Sequence, residues 1–242
     1  MKRAERRRRI GAVGGFEPND LTIDFFERVR AITPDKANVV DFGAGRGEWL
    51  DDPSPRRREL VDLCDISGHL VGVDVAPAVM SNPSLDEAFV IDGESPLPIE
   101  DDWADVVVAN WVIEHVDDPE WFVAECTRIV KPGGWLCGRT PNKVGYIALG
   151  ARLVPNGRHV GVLRRLQPHR KAEDVFPTRY RLNTVDDLGA AFGDRWENLS
   201  FPVWPNMAYG GDSVVMERAE RLWRAAVPDR VAPVLYVFLR RR

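Results

Sequence analysis

The sequence of 242 residues holds only three cysteines, Cys64, Cys126 and Cys137, and no two of them stand in a C-x-x-C spacing. A disulfide framework and a zinc site are therefore not expected, and a reducing compartment suits the chain. No stretch reaches the roughly 18 consecutive apolar residues that a membrane-spanning helix needs. The basic opening, MKRAERRRRIGAVGG, is followed by no apolar run of signal-peptide length, so a cytoplasmic location is the expectation. Internal repeats and low-complexity blocks are missing as well, which confines disorder to the ends.

What is present is the balance of a globular protein, with 44% hydrophobic and 29% charged residues. The length suits one α/β domain with an elaboration rather than two full domains. The net charge of -4 is unevenly spread: residues 1–9 carry +5 and residues 150–181 carry +6, which leaves -15 on the remainder. Acidic partners would meet those two basic places first. The first 16 residues read as a flexible basic tail, and 17–242 as the folded domain.

Along the chain, Asn19 or Asp20 can cap a helix through LTIDFFERVRAI, whose Leu21, Phe25, Val29 and Ile32 recur at helical spacing. Thr33-Pro34 stops it. Short apolar runs at Asn38–Phe42, His69–Asp74, Phe89–Asp92 and Ala104–Ala109 read as four strands, with a helix over Pro119–Val130 capped by Asp117 or Asp118. Lys131-Pro132-Gly133-Gly134 breaks that helix, and Trp135–Thr140 supplies a fifth strand. Strands separated by helical stretches imply a parallel sheet covered on both faces. Residues 143–181 are rich in Arg, Gly and Pro, and read as an inserted cap over the carboxyl edge of the sheet. A helix over Thr184–Phe192, a strand over Arg195–Phe201, a helix over Ser213–Ala226 and a strand over Ala232–Leu239 complete the pattern.

The first strand runs into Gly43-Ala44-Gly45-Arg46-Gly47 and then Glu48-Trp49-Leu50, a strand, a turn and a helix start. A glycine turn in that setting turns its backbone amides toward a ligand lying across the sheet edge. The dinucleotide fingerprint G-x-G-x-x-G is absent, because its third glycine would fall at Glu48, and no P-loop lysine follows. A pyrophosphate is thus disfavoured.

The stretch V-V-D-F-G-A-G-R-G-E resembles the first signature motif of the class I S-adenosylmethionine-dependent methyltransferases, and further elements follow in that family's order. The resemblance is strong over residues 36–142 and holds only in layout elsewhere. It implies an α/β, Rossmann-like, doubly wound and mostly parallel seven-stranded sheet with helices on both faces and an inserted cap after the fifth strand. It also implies S-adenosyl-L-methionine as cofactor, held by Asp41, Gly43, Ala44, Gly45 and Gly47, by Asp74 with Val75 at the ribose, by Asp92 and Gly93 at the adenine, and by Asn110 and Trp111. The insert Asp51–Arg58 between the first two motifs is expected to be a surface loop.

Plainer roles stand beside these. Asp41 can serve as a structural acceptor beneath the turn, Asp74 and Asp92 can simply close turns, and Glu48 can favour a helix start. His115 is the first candidate base, ahead of His159 and His169 in the cap, and it can equally orient its loop. Tyr146, His169, Arg170, Arg179 and Tyr180 are the candidate acceptor contacts in the cap. The Asn/Asp-Pro-Pro-Tyr tetrad of amine methyltransferases is missing after the fourth strand, where Asn110-Trp111-Val112-Ile113 stands. Transfer to oxygen or carbon of a small, acidic molecule is the expectation. The alternatives are a nucleic-acid-associated methyltransferase or binding protein that uses the basic tail and cap, and a catalytically silent cofactor-binding module.

Overall fold

The computed structural model describes residues 13, 16, 20–145, 177–205 and 226–242. Helix α1 (Leu21–Ile32) starts where Asp20 accepts the amides of Thr22 and Ile23 at 3.0 and 3.2 Å, and it stops at Thr33. Strand β1 (Ala37–Phe42) leads to helix α2 (Pro55–Val61), followed by β2 (Ser67–Asp74), β3 (Glu87–Val90) and β4 (Ala104–Asn110). Helix α3 (Pro119–Ile129) is capped by Asp118 and followed by β5 (Val130–Pro141). Helix α4 (Val185–Phe192), capped by Thr184, precedes β6 (Trp196–Asn198), β7 (Phe201–Val203) and β8 (Val234–Arg241).

The strands form one sheet in the order β3-β2-β1-β4-β5-β8-β6, with β7 also on β8. The pairings among β1 to β5 are parallel, whereas β8 runs antiparallel to β5, β6 and β7. Neighbouring residues on a strand face opposite sides, and both sides are covered. Val39, Val106, Val108, Tyr236 and Phe238 pack under Phe25, Phe26 and Val29 of α1 and Leu60 of α2. Val40, Val71, Val73, Val107 and Val237 pack under Phe122, Cys126 and Ile129 of α3 and Leu188 and Phe192 of α4. Burying one such aromatic or aliphatic side chain contributes about 1.5–3 kcal/mol, so the two layers clamp the sheet. The strand order reverses direction between β1 and β4, and it is outside the carboxyl ends of strands at such a point that open α/β sheets bind ligands.

Several sequence-based expectations are corrected. Among the described residues the sheet has eight strands where seven were expected, because the single strand expected over Arg195–Phe201 is interrupted. The Asn198 side chain accepts the Ser200 amide at 3.1 Å, and Ser200 Oγ, in place of a backbone carbonyl, accepts the Phe238 amide at 3.1 Å. The expected surface loop Asp51–Arg58 contains the start of α2: Ser54 caps it by accepting the Arg57 amide, and Pro55 sits in its first turn. Glu48-Trp49-Leu50 opens a single 3-10 turn, Glu48–Asp51, rather than an α-helix. Strand β3 ends at Val90, which leaves Asp92 beyond it. Lys131–Gly134 bulges out within β5: Ala104 pairs with Val130 and Val106 already pairs with Trp135. The helix expected over Ser213–Ala226 lies outside the described residues except for its last residue, and most of the cap, 146–176, lies outside them too.

Candidate active site

The crevice at the carboxyl ends of β1 and β4 is built around the glycine turn. Gly43, Gly45 and Gly47 have φ of +77°, +51° and +81°, a region costly for residues with a Cβ. Space forbids a side chain as well, since a Cβ on Gly43 would stand 2.3 Å from Val112 Cγ2. The turn is held from below by the Gly43 amide, which donates to Val73 O at 2.7 Å. From the side, the buried Asn82 donates from Nδ2 to Ala44 O and Gly45 O at 3.1 and 3.3 Å, while its Oδ1 accepts from Ser84. Ala44 itself is buried against the sheet.

Two carboxylates flank this turn. Asp74 closes β2 and accepts the Gly45 amide at 2.9 Å through Oδ2 and the Ala76 amide at 2.7 Å through Oδ1. Asp41 lies one strand away, on β1, and no basic side chain among the described residues pairs with it. Burial pushes its carboxyl up to about 7, and the charge of Asp74 adds to the shift. A carboxylate kept in that state suits a cationic neighbour.

Further out, Val75 is half exposed beside Asp74, as is Val90 at the end of β3. Asp92 folds into its own turn: Oδ1 accepts the amides of Glu94 and Ser95 at 2.9 and 2.7 Å, and Oδ2 accepts the Ser95 hydroxyl at 2.6 Å. Those donors hold it down at about 2, so it is ionised at any neutral pH. Gly93 follows with φ +76° and no neighbour close to where a Cβ would stand.

After β4 the chain makes a tight passage. Trp111 has φ +60°, a conformation rare for a bulky residue, and its amide donates to Arg139 O at 2.8 Å. Asn110 Oδ1 accepts from Arg139 Nε at 2.8 Å, so the side chain of Asn110 is turned toward β5. The 3-10 turn Ile113–His115 follows. His115 Nδ1 lies 3.0 Å from Pro177 O. A carbonyl oxygen only accepts, so Nδ1 carries the hydrogen and the neutral ring has its lone pair on Nε2.

Residues 177–181, the described end of the expected cap, are tied to this same turn. The amides of Arg179 and Tyr180 donate to Glu114 O at 2.7 and 3.3 Å, and Tyr180 has φ +53°. The exposed Arg179 pairs with Asp117 at 3.1 Å, which directs its charge along the rim. Tyr146, His169 and Arg170 lie outside the described residues.

The turn, Asp41, Asp74, Val75, Asn110, Trp111 and His115 thus gather at one edge, while Asp92 and Gly93 stand at its β3 end. Sequence reasoning missed four residues here. Asn82 and Val112 secure the glycine turn. Glu114 is buried and accepts Thr140 Oγ1 at 2.9 Å, with Asn183 donating in turn to Thr140 Oγ1 at 2.6 Å. Arg139 is a buried arginine on β5, only 4% exposed. It had a visible signal, since an arginine inside the apolar run Trp135–Thr140 of a parallel strand needs a reason to be there.

Comparison with known proteins agrees with this fold. Residues 40–138 match the family described as methyltransferase domain. The chain is 31% identical over 194 residues to a ubiquinone biosynthesis O-methyltransferase of Chromobacterium violaceum, covering 72% of this chain and 76% of that one. A similarly named protein of Hahella chejuensis is 31% identical over 159 residues, of whose length the chain spans 62%. The crystal structure of a SAM-dependent methyltransferase from Aquifex aeolicus superposes over 98% of both chains with a TM-score of 0.52 at 14% identity, a likeness of fold. With its strand order, its glycine turn and its relatives in agreement, the chain belongs to the class I S-adenosylmethionine-dependent methyltransferases.

Proposed function

We propose that the chain transfers a methyl group from S-adenosyl-L-methionine to a hydroxyl oxygen of a small, anionic molecule. The observation that carries the cofactor half is Asp41: a carboxylate raised to about 7, beside a bare glycine turn and without a basic partner among the described residues, fits an ammonium group. The other residues fit the rest of the cofactor. Asp74 spends one lone pair of each oxygen on a backbone amide and keeps others for a vicinal diol. Val75 and Val90 offer apolar walls for an adenine, and Asp92, with three donors already on about four lone-pair sites, retains room for one amino hydrogen.

When bound, the sulfonium supplies the electrophilic methyl carbon. The chain's own residues have three tasks. The glycine turn and the Asn110-Trp111 passage fix where the donor and acceptor sites meet, and orientation of that kind is worth about 7–11 kcal/mol in favourable cases. His115, with its lone pair on Nε2, takes the proton of the acceptor hydroxyl as it becomes nucleophilic. Residues 177–181, fastened to Glu114 and Asp117, bring the positive charge of Arg179 and Arg181 to this edge, where an anionic acceptor would meet it. The names of the relatives support oxygen as the acceptor atom.

The test is incubation with methyl-labelled S-adenosylmethionine and a panel of phenols, catechols and their carboxylated forms, with product identified by mass. Transfer to a hydroxyl oxygen, faster for the carboxylated acceptors, is the expected result. Transfer to RNA and to no small molecule would contradict it.

A further inference from the structure

Arg139 is 4% exposed, and none of the described carboxylates forms an ion pair with it. Its guanidinium lies between β5 and α1, where the rings of Phe25, Trp111 and Phe26 stand 5.2, 5.4 and 5.7 Å from the central carbon. Burial pulls it down to about 10, against the opposing influence of Tyr236 and Asp20, so it is cationic at neutral pH.

Stability does not explain a charge in that place. Exchanging buried ionic groups for well-packed apolar ones is often neutral or stabilising, and three aromatic rings would pack well around an apolar side chain. What the guanidinium alone supplies is donors in fixed directions. Its Nε donates to Asn110 Oδ1 at 2.8 Å and its Nη1 to Thr22 Oγ1 at 3.0 Å, so one side chain joins the end of β4 to the first turn of α1.

An arginine can only donate, so it holds the Asn110 amide with the oxygen inward and leaves Nδ2, a donor, as the outer end. Asn110 Nδ2 makes no hydrogen bond among the described residues, and Asn110, the last residue of β4, is only half-buried at the carboxyl edge. The rest of Arg139 secures the same passage. Its carbonyl accepts the Trp111 amide at 2.8 Å, and its guanidinium backs the Trp111 ring, where the chain keeps a φ of +60°. Val112, next in the chain, fills the space beside Gly43.

We infer that Arg139 is a positioning residue of the cofactor site: without touching the ligand, it orients Asn110 so that the side-chain amide donates to bound S-adenosylmethionine. This rests on the methyl-transfer reading and adds to it a residue that acts from behind the site.

The test is a double-mutant cycle in calorimetry with S-adenosylhomocysteine, with thermal unfolding followed alongside. Asn110→Ala and Arg139→Met are each expected to weaken binding by about 3- to 10-fold, the range of one hydrogen bond. In the Asn110→Ala background, Arg139→Met is expected to change the affinity by less than about twofold, because the residue it acts through is gone. Arg139→Lys, which keeps the charge and a donor, regains part of the affinity. Arg139→Gln completes the cycle if the methionine variant does not fold. A residue needed only for packing would lower the unfolding temperature and leave the affinity alone, or would cost the same affinity with and without the Asn110 side chain. Either result overturns the assignment and leaves methyl transfer standing. Failure of wild type to bind S-adenosylhomocysteine overturns both.

Discussion

Replacing Asp41 by asparagine should stabilise the protein in a pH-dependent way while damaging cofactor binding. The carboxyl of Asp41 has a folded value of about 7 against an ordinary 3.8. Below pH 4 it is protonated in both folded and unfolded chains and makes no difference. As pH rises, the unfolded chain releases the proton first, so folding stability falls by about 1.4 kcal/mol per pH unit until the folded group ionises too. Above pH 7 the loss levels off at a ceiling of about 4 kcal/mol. Asp41→Asn removes this term. Urea denaturation of both proteins without cofactor, at pH 5, 6, 7 and 8, should show a stability difference that grows in favour of the variant and is largest at pH 8. With S-adenosylmethionine present the order reverses, because wild type gains a cation beside the carboxylate and the variant does not. A difference that does not vary with pH, or a variant less stable at pH 8 without cofactor, would refute the reasoning.

Three further outcomes follow from the geometry. Gly43→Ala meets both the +77° φ and Val112 Cγ2 at 2.3 Å, and should lose about 1–3 kcal/mol in thermal unfolding, with only partial rescue by Val112→Ala, which relieves the clash and leaves the φ cost. Asn82→Ala frees the carbonyls of Ala44 and Gly45 and should weaken S-adenosylhomocysteine binding in calorimetry, with a stability loss of about 1–3 kcal/mol. His115→Gln should lower kcat for hydroxyl acceptors by about 100- to 10,000-fold with cofactor affinity unchanged; a kcat close to wild type would leave His115 with the orienting role of its contact to Pro177.

The glycine turn and the strand end beside it were legible because their constraints are local. Gly43, Gly45 and Gly47 must be glycines for their φ values, and Asp74 must end a strand, so short motifs betray them. The strands were legible for a similar reason: β1, β2 and β4 are apolar runs buried on both faces. Asn82 was not legible, since nothing in Ser81-Asn82-Pro83 points to Ala44 and Gly45, which lie 38 and 37 residues earlier. The break in the edge strand depends on the Ser200 hydroxyl replacing a carbonyl in a ladder with Phe238, a pairing that no local pattern announces. Helix α2 was misread although Ser54-Pro55 is a helix-start signal, because Arg56-Arg57-Arg58 has the look of a solvated loop. In the folded protein Arg57 pairs with Asp52 and Asp20, and Arg56 with Glu27 and Glu59, so α2 is fastened to α1 by charge as well as by Leu60.

Calorimetric titration of wild type and Asp74→Ala with S-adenosylmethionine, S-adenosylhomocysteine and NAD tests the central claim most directly. The account requires both sulfur compounds to bind wild type, NAD to give no signal, and Asp74→Ala to lose at least tenfold in affinity, the equivalent of about 1.4 kcal/mol for the ribose hydrogen bonds. Binding of NAD in place of the two sulfur compounds would contradict it.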